Sequence, residues 1–132
     1  METTPNRPDR TGRFLHEDLE IFDFDQVIDW LHGEAEYQDK NHNALTLVKN
    51  TTLSTVVVCL QRNQRLPEHQ APGPFTLTML RGRITFTLEP HGDNIATELS
   101  QGQLLVLGEP RRHEVVALEE SAFLLTIALK AK

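Results

Sequence analysis

From Ala44 to Leu129 the apolar positions recur with a period of two, in short runs broken every eight to twelve positions by turn residues. That period puts alternate side chains on opposite faces of an extended chain, so the region reads as all-β. Strands are expected near 44–49, 53–61, 75–80, 83–89, 95–99, 103–107, 113–118 and 122–129, and eight strands suit a barrel or jelly roll. Upstream the period changes. Phe24, Val27, Ile28, Leu31 and Ala35 recur at helical spacing, with Asp23 as N-cap and Gln26 in capping-box position. This predicts one short amphipathic helix over about 23–36, docked by Trp30 and Tyr37. Gly33 lies inside the pattern and costs roughly 1 kcal/mol against alanine, which favours a stop near His32.

The pair Arg81–Gly82 reads as a two-residue hairpin connection, with glycine where a positive φ is needed. The expected register sets Met79 opposite Ile84, Leu77 opposite Phe86 and Phe75 opposite Leu88. Six apolar side chains then share the core face, and Thr76, Thr78, Thr85 and Thr87 share the other.

The chain has 132 residues, one domain's worth, divided here into a disordered tail over 1–13 and a single β-domain with its helix over 14–132. No apolar run approaches the roughly 20 residues of a membrane span, and the first thirteen residues lack the apolar stretch of a secretory signal, so the cytoplasm is the expected compartment. Cys59, the single cysteine, lies in the apolar run TVVVCL and reads as a core residue. Residues 14–40 hold nine acids against Lys40, and the chain carries a net charge of −6. A negative chain without a basic stripe makes nucleic acid and anionic membranes unfavourable partners. The acidic run is read as a solvated helix face.

The segments LPEHQAPGPFTLTMLRGRITF and SQGQLLVLGEPRRHEVVAL resemble the two signature motifs of the cupin superfamily, and the likeness runs from about Ala44 to Leu129. His69 and Gly82 match the first motif, whereas Asn63, Ala71 and Phe75 stand where the family has a Gly, a second His and a Glu. Gly102 and His113 match the second, with Gly108, Pro110 and Ala117 in place of its other residues. The resemblance implies a double-stranded β-helix, or jelly-roll, barrel with His69 and His113 on neighbouring strands facing one interior. Phe75 in the carboxylate slot would fill and dry that cavity. Arg111, expected on the same side as His113, would attract an anion and repel a cation.

The histidine pair admits several readings at this point. The rings are satisfied by core or rim hydrogen bonds, or they are metal ligands completed by Glu68, Glu109, Glu114 or water. In the third reading they line a metal-free pocket where His69, His113 and Arg111 orient a small polar, anionic molecule over an apolar floor that includes Phe75 and Met79. The expected function follows the third reading, a small-molecule-binding barrel with a degenerate metal site. The alternatives are a metal-dependent dioxygenase or isomerase using His69 and His113, and a structural or regulatory module working as a homodimer built edge to edge. The cofactor is accordingly either a divalent metal ion or none. His91 lies in the turn EPHGDN and is expected to be exposed, His16, His32 and His42 have no partner at ligand spacing, and no nucleophile elbow, phosphate loop, CxxC pair or HExxH is present.

Overall fold

The computed structural model describes residues 19–130; the expected tail over 1–13, His16 and the first acids of the acidic run lie outside them. Helix α1 (Phe24–Gly33) begins where the Asp23 carboxylate accepts from the backbone N–H groups of Asp25 and Gln26, at 2.9 and 3.4 Å. It does not continue to residue 36. The backbone turns extended at Glu34 and a second short helix, α2 (Ala35–Lys40), follows. The break sits where Gly33 weakens the helix. Asn43 fixes the joint, donating from Nδ2 to the Leu31 carbonyl and to Glu34.

Nine strands follow among the described residues: β1 (His42–Lys49), β2 (Leu53–Leu60), β3 (Arg65–Gln70), β4 (Phe75–Arg81), β5 (Arg83–Leu88), β6 (Ile95–Ser100), β7 (Leu104–Leu107), β8 (Arg112–Ala117) and β9 (Ser121–Ala128). Eight lie close to the expected spans. The ninth, β3, was not expected, because Pro67 and a bulge interrupt its alternation. The strands form a five-stranded antiparallel sheet ordered β1-β2-β9-β4-β7 and a four-stranded one ordered β3-β8-β5-β6, stacked as a jelly roll.

The expected hairpin of β4 with β5 is not formed. β4 pairs with β9 and β7, and β5 pairs with β8 and β6, so the chain crosses from one sheet to the other at Arg81–Gly82. Leu77 therefore lies beside Leu125 and Leu105, and Phe86 beside Val115 and Thr97. The shared apolar face survives this correction because both strands turn the same alternate positions toward the space between the sheets. Gly82 does adopt a positive φ of 80°. A side chain there would collide with the backbone around Glu120 and Ser121, so the corner requires glycine sterically as well as conformationally.

One core fills the space between the sheets, with Leu60, Leu77, Met79, Ile84, Phe86, Val115 and Phe123 among its members. A second lies between the helices and the outer face of the larger sheet. There Val27, Ile28, Leu31 and Tyr37 cover Leu45, Leu47, Val57, Cys59 and Ala122. Alternation along β2 and β9 supplies both cores from the same strands, Val58 and Phe123 inward and Val57 and Ala122 outward. Tyr37, packed in the second core beside Trp30, also donates to Glu120 at 3.0 Å. No helix of the described residues is long and apolar enough to cross a membrane.

Candidate ligand site at the barrel mouth

Strand β3 carries the decisive irregularity. Leu66 pairs with Val115 and His69 with His113, so two residues, Pro67 and Glu68, stand opposite Glu114 alone. Simple alternation from the inward Leu66 would aim Glu68 inward and His69 outward. The extra residue reverses this and brings His69 to the inner face directly across from His113.

The two rings meet edge to face with centroids 4.4 Å apart. His113 is buried, while His69 is exposed at the rim. Beneath them lie two phenyl groups. Phe86 stacks on His113 at 5.1 Å with 16° between planes, and Phe75 tilts against it at the same distance. Leu88, the β5 partner of His113, continues the inner row. The arrangement grades from an exposed imidazole to a buried one to an aromatic floor.

Both imidazoles are held alike. His69 Nδ1 lies 3.2 Å from the carbonyl oxygen of Pro67, and His113 Nδ1 lies 2.9 Å from that of Arg111. A carbonyl can only accept, so each Nδ1 carries the proton and each neutral ring keeps its lone pair on Nε2. Burial holds the His113 pKa below the usual histidine value; the Arg111 carbonyl opposes that shift and the neighbouring His69 adds to it. Burial thus favours the neutral form of His113.

The other expected site residues fall elsewhere. Arg111 precedes β8, and its guanidinium pairs with Glu89 at 3.3 Å. Its positive charge is thereby engaged, and its contact with the imidazole pair is the backbone carbonyl that fixes His113. Met79 is fully buried beside Phe123, two alternations from Phe75, or about 13 Å along the strand. It belongs to the deep core. Phe86 and Leu88, by contrast, line the site unforeseen. The sequence places both on the inner face, but only the pairing of β5 with β8 brings them under His113.

Two of the three carboxylates considered as metal ligands, Glu68 and Glu114, are occupied outside the barrel, and Glu109 is exposed. Glu68 bonds Arg112 at 2.5 Å and His91 at 3.3 Å, and Glu114 bonds Arg65 at 3.0 Å. They border an outer cleft of about 560 Å³ together with Thr87, Pro90 and Asn94. Among the described residues no three His, Cys, Asp or Glu side chains group as metal ligands. Ala71 and Phe75, where the motif has its second His and its Glu, are buried without a donor atom. A carbonyl-fixed Nδ1 is the second shell expected of a ligating histidine, yet two nitrogens fall short of the three side-chain ligands that hold an exchangeable divalent ion firmly. The donor set among the described residues does not fit a resident metal.

No family model matches the chain, and neither does any of the curated proteins. Solved structures do. A conserved protein of unknown function from Streptococcus pyogenes superposes with a TM-score of 0.66 at 21% identity, over 89% of this chain and 94% of that one. An RmlC-like cupin from Desulfovibrio desulfuricans gives 0.61 at 21% identity, covering 72% and 89%. A cupin superfamily protein from Desulfitobacterium hafniense gives 0.62 at 12% identity, covering 67% and 78%. The chain has the cupin fold.

Proposed function

Taking the cupin fold as the premise, we propose that this protein binds a small organic molecule at the barrel mouth through the paired imidazoles of His69 and His113, without a resident metal. One observation carries the reading: both Nδ1 atoms are tied to backbone carbonyls, which leaves two neighbouring Nε2 lone pairs over an aromatic floor. Two acceptors select a ligand with N–H or O–H donors. Phe75, Phe86 and Leu88 favour a flat apolar body behind them. With Arg111 engaged by Glu89, a carboxylate gains little there.

The test has two arms. Elemental analysis of natively purified protein is expected to find less than about a tenth of an equivalent of divalent metal. A full equivalent that disappears in His69→Ala would establish the metal-dependent alternative instead. In the second arm, phenols, primary amides and carboxylic acids are titrated while the His69 and His113 ring signals are followed by NMR. Saturable shifts of both rings, abolished in His113→Phe, are expected. Binding unaffected by either substitution, or no shift with any compound, would remove the reading.

A further inference from the structure

Four non-glycine residues among the described ones have a positive φ, and three of them, Asn41, Asn63 and Asn94, are the residue type whose short amide tolerates that region. The fourth is Glu89, at 50°. Its N–H donates to the Arg112 carbonyl at 2.8 Å, and its own carbonyl accepts from the N–H groups of Gly92 and Asn94, both at 2.9 Å. Glycine would make the same backbone bonds at lower conformational cost. What glycine would lack is the carboxylate, and its Oε1 accepts from Arg111 Nε at 3.3 Å. An unfavourable backbone kept for the sake of a side-chain contact points to a use for that contact.

Arg111 is where it acts. The residue stands one position ahead of β8, beyond that strand's last pairing with β3, Arg112 with Gln70, so the sheet no longer holds the chain there. Yet its carbonyl oxygen is the acceptor 2.9 Å from His113 Nδ1. We propose that Glu89 is a positioning residue for the imidazole pair: by gripping the Arg111 guanidinium it fixes the carbonyl that keeps the proton on His113 Nδ1. It thereby decides that the buried ring offers the barrel mouth an acceptor and not a donor. Without that carbonyl, Nδ1–H in a ring only 4% exposed has no water to turn to, and the proton moves to Nε2, which inverts the polarity of the site. The tautomer is a property of the free protein, whereas its effect on ligand choice rests on the small-molecule site proposed above.

Nitrogen NMR of the imidazole rings, recorded at about pH 8 where histidine is neutral, reads the tautomer directly. Glu89→Gly relaxes the backbone and removes the grip, so it should unfold in urea close to the native midpoint while the His113 tautomer ratio moves roughly 10-fold toward Nε2–H. A merely structural role would do the reverse, moving stability and leaving the tautomer in place. Glu89→Gln can still accept from Arg111 and should restore the native ratio, and Arg111→Ala should reproduce the change seen in Glu89→Gly. Ligand choice is read with two probes. Phenol, with an O–H to donate, should bind Glu89→Gly about 10-fold more weakly than the native protein, and acetophenone, which can only accept, should bind it more tightly. An unmoved tautomer ratio in Glu89→Gly, a ratio that moves only along with stability, or equal phenol affinity despite a moved ratio would each overturn the proposal. A ratio that moves as expected while phenol binds neither protein would uphold the role of Glu89 and remove the small-molecule site instead.

Discussion

Acidification should destabilise this protein through one ring. His113 is 4% exposed, stacked on Phe86, and donates from Nδ1 to the Arg111 carbonyl. Burial lowers its pKa from the ordinary 6.5. In the unfolded chain the ring therefore takes a proton near 6.5, while the folded protein refuses it. The stabilising effect is fully present above that value and falls as pH drops, until the folded ring is protonated as well. Through that window the loss from this group approaches about 1.4 kcal/mol per pH unit. The clean comparison is His113→Phe, which keeps a stacked ring of similar size and should cost only about 1 kcal/mol near neutrality for the lost hydrogen bond. Urea denaturation of both proteins at about pH 7.5 and about pH 5.5 isolates the effect, since the two chains differ only at residue 113. The native protein should lose up to about 1.4 kcal/mol more than the variant across that interval. Equal losses would refute the assignment of His113 as a buried imidazole kept neutral by the fold.

The glycines offer a second comparison. Gly82 and Gly102 both have positive φ, but a Cβ at Gly82 would lie 2.2 Å from the Glu120 carbonyl oxygen, whereas one at Gly102 meets nothing within 4 Å. Gly102→Ala should therefore cost about 1 kcal/mol and Gly82→Ala at least about 3 kcal/mol in thermal or urea unfolding, and equal costs would mean that the corner is not crowded. Cys59 is fully buried, and its thiol pKa is pushed up to about 12, chiefly by burial and further by Glu120, against a lowering by Arg81. The thiol should resist an aromatic disulfide reagent in the native state and react promptly in denaturant; rapid native labelling would show that the helix layer opens.

Local pattern carried the strands a long way, because period two is a property of each strand alone. Pairing is not. A two-residue link with a left-handed glycine serves a hairpin and a corner between sheets equally well, and what separates β4 from β5 is the presence of β9, β7, β8 and β6 beside them. Nothing local announces that. The same limit hid Phe86 and Leu88 from the site and gave Arg111 a free charge that Glu89 in fact engages. Strand β3 was missed because Pro67 and the bulge destroy the alternation that would have revealed it. His69 and His113 were nevertheless legible through the cupin resemblance, which encodes the non-local pairing that hydropathy lacks.

The bulge in β3 makes strand register a chemical variable. Were the intact strand to pair without it, residue 67 opposite Glu114 and 68 opposite His113, the carboxylate of Glu68, now tied up with Arg112 and His91, would face His113 while His69 turned out to solvent. The bulge thus sets nitrogen in place of oxygen at the rim with no codon for either residue altered. Kinship among such barrels is then better judged by the phase of this strand than by counting which letters persist.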